Sequence, residues 1–344
     1  MERNMKHQVT HWIGVFILLM MGNIMPLQAN TTFTNPVLSD GADPWVVHHS
    51  DGYYYYTQTT ASNVTLWRTM DLSDLDNAEQ KVVWMPKPNS VNSEHVWAPE
   101  LHYLDGRWYI YFAASAGDMT KQRMYVLQSE NGDPFSQYDY PAETQSGKIA
   151  DASDKWAIDG TIFEFEGKRY FIWSGWEGDN NEQQRLYIAR MGAPWQLIGK
   201  RVELSRPEFA WEQVGTPQVN EAPQVLFNHK GQAFIVYSAS GSWTDDYCLG
   251  LLLFKGGDPM VATNWIKHPT PVFSKNEAAD IYGPGHNGFF TDNNGQYWLI
   301  YHAAKFKGAG WAREILMQPF GWEANGLPAF GQPIGSQIQQ AKPN

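Results

Sequence analysis

The chain has 344 residues, a formal net charge of −11 and a single cysteine, Cys248. One cysteine excludes a disulfide framework and a cysteine-based metal cluster, and the acidic balance argues against nucleic acid and anionic polymers, because such partners are bound through lysine and arginine. The 16 tryptophans, 17 tyrosines and 17 phenylalanines supply apolar surface for a large core and also suit stacking on the rings of a neutral sugar polymer.

The first predicted element is a secretory signal peptide over residues 1–29. Arg3 and Lys6 precede an apolar run at residues 13–25, and Ala29 ends a small-residue cleavage site. The apolar run is too short to span a bilayer comfortably. We therefore expect cleavage near Ala29, a secreted or periplasmic mature chain, and no membrane insertion after cleavage.

After the signal peptide, one unit recurs five times. Each copy has a polar turn with a glycine followed by an aromatic strand, and the glycines are separated by 54 to 64 residues. The copies are HSDGYYYYT, YLDGRWYIYFAAS, EFEGKRYFIWSG, NHKGQAFIVYSAS and DNNGQYWLIYHAA, around Gly52, Gly106, Gly167, Gly231 and Gly295. An apolar strand precedes each glycine and a third strand follows, so each unit begins with a β-hairpin.

A weaker fourth strand completes each unit, and no long helical period is present. Such units are typical of the blades of a β-propeller. We predict an all-β, single-domain protein, a five-bladed β-propeller over residues 30–335, followed by a polar C-terminal tail at residues 336–344. A large β-sandwich or an up-and-down barrel is the alternative, but five copies with matching flanks disfavour it.

An ionisable residue stands six to ten positions before each of the five glycines. These residues are Asp43, Glu100, Asp159, Glu221 and His286. Because the inner strands of a propeller line its central channel, we expect these side chains to converge at one end of the axis. One such carboxylate alone would be read as a turn cap. Clustered carboxylates push their pKa values apart, and two in opposite protonation states can cleave a glycosidic bond.

The motifs GADPWVV, VWAPEL, WAIDGTIF, VNEAPQVL and GPGHNGFF, in that order on five repeats, resemble glycoside hydrolase family 43. The resemblance covers essentially the whole chain after the signal peptide and implies a five-bladed propeller that inverts at the anomeric carbon. It implies that Asp43 is the general base, Asp159 the residue that orients and tunes the acid, and Glu221 the general acid.

The resemblance also assigns two residues beside these carboxylates. His286 matches a histidine on the propeller axis that lies beside a bound calcium or a water cluster in many members, and Arg313 matches an arginine that reaches into the site. No cofactor is then required for the chemistry, and a structural calcium near His286 is an expectation beside it. A lone histidine is more often a hydrogen-bonded structural residue than a metal ligand.

The motifs FIWSGWEG and HVWAPE look most like the secreted, exo-acting α-L-arabinofuranosidases, which release arabinose from arabinan or arabinose-containing oligosaccharides. The residues expected to bind substrate are Trp97, Glu100, Trp176, His286 and Arg313. Trp173 and Trp243 are further candidates for the pocket wall, although core packing explains a tryptophan equally well. We expect the protein to act as a monomer.

Three alternatives stay open from the sequence. A β-xylosidase or an endo-arabinanase would use the same scaffold and the same carboxylates. A non-catalytic, glycan-binding propeller would not need all three of Asp43, Asp159 and Glu221, and all three are present.

Overall fold

The computed structural model describes residues 31–344, and the predicted signal peptide lies outside these residues. The described part contains 23 β-strands and five short 3-10 helices. The helices cover Leu72–Asn77, Met119–Lys121, Ala210–Glu212, Ala262–Asn264 and Glu277–Ala279. Within residues 31–344, no helix combines the length and apolarity needed to cross a membrane.

The strands follow the five repeats of the sequence. The chain begins with β1 (Thr32–Phe33). Blade one contains β2 (Trp45–His48), β3 (Tyr54–Thr57), β4 (Val64–Thr69) and β5 (Glu79–Trp84). Blade two contains β6 (Glu94–Leu104), β7 (Arg107–Ser115), β8 (Arg123–Ser129), β9 (Tyr138–Asp139) and β10 (Lys148–Ile149). Blade three contains β11 (Ala157–Phe165), β12 (Lys168–Gly175), β13 (Gln183–Ala193) and β14 (Gln196–Ser205).

The last two blades have the same plan. Blade four contains β15 (Gln218–Phe227), β16 (Ala233–Ala239), β17 (Cys248–Phe254) and β18 (Trp265–Lys267). Blade five contains β19 (Tyr282–Thr291), β20 (Tyr297–Ala304), β21 (Arg313–Trp322) and β22 (Pro328–Ala329), and the final strand is β23 (Gln340–Ala341). Within each blade the first three strands pair antiparallel in sequence order. A short parallel pairing of β13 with β15 joins blades three and four.

The core consists of five apolar clusters, and each lies between neighbouring blades. One of them closes the ring, because Tyr54 and Tyr56 of blade one pack with Trp298 and Ile300 of blade five. Burial of these aromatic faces supplies the main favourable free energy of folding in a chain without disulfides. The prediction of an all-β, five-bladed propeller is confirmed.

The predicted polar tail at residues 336–344 is anchored to the propeller. Strand β23 pairs antiparallel with β1, and the side-chain amide of Gln340 donates to the backbone carbonyl of Met317. The carbonyl of Asn344 accepts a hydrogen bond from the backbone N–H of Asn293 at 2.7 Å. The two ends of the described chain therefore meet at blade five and support the closure between blades five and one.

Candidate active site

Each blade carries a left-handed residue other than glycine at an equivalent position in, or just before, its inner strand. These residues are Asp43, Ala98, Asp159, Ala222 and His286, with φ between 44° and 59°. Four of them lie at a shift in strand register, and Asp43 lies two residues before β2 begins. A left-handed residue other than glycine costs about 1–3 kcal/mol, and such bulges re-aim side chains. These four bulges and the turn at Asp43 thus direct side chains into the central channel.

The left-handed residues show that Ala98, rather than Glu100, is the blade-two counterpart of Asp43, and that the blade-four counterpart is Ala222, one residue after Glu221. Counting back from the repeat glycine reached Glu100, which is two residues too far along β6. Glu100 is buried, accepts a hydrogen bond from Nε2 of Gln224, and has Nε2 of His102 at 2.9 Å from its Oε2. Its hydrogen-bond partners are therefore Gln224 and His102 rather than Asp43. Its role in substrate binding stays a prediction.

Asp43 is surrounded by hydrogen-bond donors and positive charge. Oγ1 of Thr59 donates to its Oδ2 at 2.5 Å, while Nδ1 of His286 and Nη1 of Arg313 lie 3.1 and 3.5 Å from its Oδ1. Burial by itself raises the pKa of Asp43, but the charge of His286 and the hydrogen bond from it hold that pKa well below its usual value. Asp43 is therefore ionised at neutral pH.

His286 acts electrostatically on three carboxyl groups. Burial lowers the pKa of its imidazole, but the charges of Asp43, Asp159 and Glu221 outweigh burial and raise that pKa to about 9. The positive charge of His286 in turn lowers the pKa of each of the three carboxyl groups. Mutual effects of this kind require short distances, so the four side chains lie close to one another.

Asp159 and Glu221 form a pair of buried carboxyl groups, 3% and 7% exposed. Burial is the largest cause that raises the pKa of each, and the charge of Glu221 contributes to raising the pKa of Asp159 to about 8. Oδ2 of Asp159 accepts a hydrogen bond from the backbone N–H of Ala222 at 3.0 Å, which ties blade three to the bulge that carries Glu221. Because burial raises both pKa values, that of Asp159 to about 8, the pair holds a proton at neutral pH.

Sequence reasoning missed the residues that hold the bulges in place. Three backbone N–H groups donate to these side chains. The N–H of Ala98 donates to Oγ1 of Thr59, that of His286 to Oγ of Ser238, and that of Asp43 to Nδ1 of His302. In each case the acceptor belongs to the second strand of one blade, or follows it directly, and the donor to the next blade round the ring. All three acceptors stand seven positions after a repeat glycine, so the repeat itself carried a signal for them.

Two aromatic groups complete the wall around the acidic pair. Tyr247 donates its hydroxyl to Oε1 of Glu221 at 2.9 Å and stacks on His302 with ring centroids 5.7 Å apart. Burial, and then the charge of Arg313, lower the pKa of His302 to about 3, so its ring is neutral. Tyr247 had no counterpart in the other repeats, and no local signal in the sequence marked it.

The predicted tryptophans divide between core and surface. Trp176 is buried and stacks on Trp156 with ring centroids 4.7 Å apart, and Trp173 is buried in the same apolar cluster. Trp97 packs half-buried against that cluster. Sugar contacts of Trp97 and Trp176 stay predictions, since the contacts described for them are with protein. Trp243 lies half-buried on the loop that precedes β17.

The residues around His286 do not form a metal site of their own. A histidine with a pKa near 9 is protonated at neutral pH, and its Nδ1 is directed at Asp43 rather than at an open coordination position. Among residues 31–344, no three His, Cys, Asp or Glu side chains converge in a way that could hold a metal ion. A calcium ion here would need water oxygens for most of its ligands, and it stays a prediction.

The geometry supports one kind of chemistry. An ionised carboxylate, Asp43, shares a pocket with a carboxyl pair that retains a proton, and an arginine and a protonated histidine lie beside them. A base and an acid held in opposite states at the same pH can take a proton from water and give one to a leaving oxygen. These are the groups that a hydrolase needs.

Comparison with known proteins gives concordant matches. Residues 33–328 match the model of the family described as Glycosyl hydrolases family 43. The chain is 36% identical over 342 residues to an extracellular exo-alpha-(1->5)-L-arabinofuranosidase of Streptomyces avermitilis, covering 95% of this chain and 69% of that protein. It is 38% identical over 280 residues to an extracellular exo-alpha-(1->5)-L-arabinofuranosidase of Streptomyces chartreusis, covering 80% of this chain and 83% of that protein.

A solved structure agrees with these matches. The crystal structure of an alpha-L-arabinofuranosidase from Lactobacillus brevis superimposes with a TM-score of 0.81 at 35% sequence identity. The superposition covers 88% of this chain and 98% of that one. The likeness therefore extends over the whole propeller.

Proposed function

Because the chain belongs to glycosyl hydrolase family 43, we propose that it is an extracellular, exo-acting α-L-arabinofuranosidase that inverts configuration at the anomeric carbon. The observation that carries the proposal is the coexistence, in one pocket, of an ionised Asp43 and a proton-holding pair, Asp159 and Glu221. Hydrolysis of a glycosidic bond with inversion needs one carboxylate as base and one carboxylic acid.

In the proposed reaction, Asp43 takes a proton from a water molecule while the water oxygen forms a bond to the anomeric carbon. Glu221 gives its proton to the glycosidic oxygen while the bond between that oxygen and the anomeric carbon breaks. Water attacks from the face opposite the leaving group, so a single displacement inverts the configuration. Proton exchange with solvent then restores the ionised base and the protonated acid.

The neighbouring residues set the starting protonation states. His286 and Arg313 place positive charge beside Asp43, which keeps the base ionised. Asp159 shares the proton of the buried pair, and its negative charge, when the proton is on Glu221, disfavours early loss of that proton. Asp159 is thus a positioning and tuning residue, as the resemblance implies.

The substrate class rests on the relatives and on charge. The two Streptomyces relatives are named for exo action on α-1,5-linked arabinofuranose, and both are named extracellular. A neutral arabinan or arabino-oligosaccharide also suits a chain with a net charge of −11. We propose secretion through the signal peptide at residues 1–29. We also propose action as a monomer.

Product analysis by NMR on debranched arabinan tests the proposal. We expect arabinose as the released sugar, observed first as the β anomer from an α-linked substrate, with Asp43→Asn and Glu221→Gln each inactive but folded. Release of oligosaccharides in place of arabinose would contradict exo action. Release of xylose from xylo-oligosaccharides, with no sugar released from arabinan, would contradict the arabinose specificity. Full activity in either variant would overturn the residue assignment.

A separate measurement tests the predicted structural calcium. The melting temperature of the protein is compared with and without a chelator and after calcium is added back. A melting temperature that a chelator does not change would count against the ion.

A further inference from the structure

Trp311 is far more exposed than a tryptophan that packs in the core. Its side chain is 68% exposed, whereas the other tryptophans of the described residues are buried or half-buried. Leaving a ring of this size in water forgoes the favourable free energy of apolar burial, which a bound ligand would recover. The question is therefore what covers it.

The Trp311 ring is held in place despite its exposure. It lies on the loop between β20 and β21, and its indole N–H donates to Oγ of Ser242 at 3.2 Å. Its edge meets the ring of Trp243, with centroids 6.0 Å apart and planes at 74°. A hydrogen bond of 2.8 Å from the backbone N–H of Gly308 to Oδ1 of Asp245 ties the two loops together.

Trp243 forms a rigid backing for this arrangement. Its ring lies against the backbone at Gly215 and Gly241, where an added Cβ would be 3.1 and 2.6 Å from the indole. A side chain at Gly241 would therefore displace the ring. The pair of Trp311 and Trp243, which we name the aromatic platform, is preformed rather than assembled around a ligand.

The aromatic platform is connected to the proposed acid and base through neighbouring residues. The backbone carbonyl of Ser242 accepts a hydrogen bond from Nη2 of Arg313 at 3.4 Å, and Nη1 of the same guanidinium lies 3.5 Å from Asp43. The loop that carries Trp243 also carries Tyr247, whose hydroxyl binds Glu221. The platform thus lies at the rim of the pocket, on the side where Glu221 is held.

We propose that the aromatic platform binds the first arabinose unit of the leaving group, the sugar that departs after the scissile bond breaks. This inference rests on the proposed function. Glu221 protonates the oxygen that leaves with this sugar, so the sugar must lie on the Glu221 side of the pocket and toward solvent, where Trp311 lies. An uncharged, flat indole face suits the C–H face of a neutral furanose and leaves its hydroxyl groups hydrated.

The test compares two substrates that share the cleaved arabinose and differ in the leaving group. These are (1→5)-α-L-arabinobiose, which places a sugar on the platform, and methyl α-L-arabinofuranoside, which does not. For Trp311→Ala we expect kcat/KM on arabinobiose to fall about tenfold, mainly through KM, which corresponds to about 1.4 kcal/mol, and the loss on the methyl glycoside to be several-fold smaller. Trp311→Phe should recover most of the loss.

Tyr103→Ala is the matched control. Tyr103 is 56% exposed and lies near the opposite end of β6 from the Ala98 bulge, so its loss removes a comparable exposed ring without touching the platform. If the wild type cleaves arabinobiose and Trp311→Ala loses no more than Tyr103→Ala, the platform inference is wrong and the proposed function stands. If the wild type releases no arabinose from arabinobiose, the proposed function and the inference fail together.

Discussion

Nδ1 of His286 lies 3.1 Å from the carboxylate of Asp43, and this contact joins the left-handed bulge of blade five to the left-handed turn of blade one across the ring closure. The positive charge keeps Asp43 ionised although Asp159 and Glu221, in the same pocket, retain a proton. The pKa values of these carboxyl groups therefore differ because of their neighbours, although their intrinsic chemistry is the same.

Removing the charge of His286 should move the acidic limb of the pH profile. In His286→Gln the pKa of Asp43 rises because burial is no longer opposed by a nearby cation. Activity needs ionised Asp43, so the fall in kcat/KM at low pH should begin about 1 pH unit higher or more. The control is His102→Gln, at a half-buried histidine next to Glu100. An acidic limb that does not move in His286→Gln would contradict the assignment.

The alkaline limb reports the proton of the acidic pair. Activity needs protonated Glu221, so kcat/KM should fall as pH rises and the buried pair loses its proton. Burial raises the pKa of Glu221 and the hydrogen bond from Tyr247 lowers it. Tyr247→Phe should therefore shift the limb to higher pH, by about half a unit to one unit. Tyr237→Phe, whose hydroxyl binds Glu212 instead, should leave the limb unchanged.

Asp159→Asn should stabilise the fold while it impairs catalysis. The pKa of Asp159 is raised to about 8 in the folded protein, so folded molecules bind more protons than unfolded ones between about pH 4 and 8. The contribution of Asp159 to stability is therefore largest at low pH and is lost as pH rises through 8. Asparagine cannot ionise, so the variant avoids the cost of a buried negative charge. We expect its free energy of unfolding to exceed that of the wild type by about 1–3 kcal/mol at pH 8 and by less at pH 5.

Thermal melts of Asp159→Asn and wild type at both pH values give this comparison. A melting temperature that falls equally at pH 5 and pH 8 would show that Asp159 contributes through packing and not through its charge.

Glu212 should be essential to stability and outside the chemistry. It is fully buried, accepts hydrogen bonds from two backbone N–H groups of its own turn, and contacts Tyr237 at 2.8 Å and Nζ of Lys267 at 3.0 Å. Glu212→Ala leaves the Tyr237 hydroxyl, the partly buried ammonium group of Lys267 and two backbone N–H groups without this acceptor, and should cost about 3–5 kcal/mol in urea denaturation. Exposed Glu323 is the control, and its alanine variant should change stability by less than about 0.5 kcal/mol. A Glu212→Ala loss below 1 kcal/mol would refute this role.

Much of the fold could be predicted because the repeat is local. A turn glycine followed by an aromatic strand is visible in a window of about ten residues, and five such windows specify five blades. The same counting located Asp43, Asp159, Glu221 and His286, which the structure brings together. It failed for Glu100 because the nearest acidic residue was taken as the counterpart, while the bulge itself falls on Ala98, a residue with no ionisable group to notice.

The sequence by itself determined the blade number, the all-β class and the residues that carry charge into the channel, because turn chemistry and strand alternation act between near neighbours. Only the tertiary structure decided their protonation states, since these depend on burial and on charges that belong to distant parts of the chain: Asp43 and His286 are brought to 3.1 Å only by closure of the ring. The same closure places β23 beside β1. Two loops also meet, and their contact places the exposed Trp311 beside Trp243 at the rim of the pocket. Contacts between distant segments leave no local pattern, so they had to be observed.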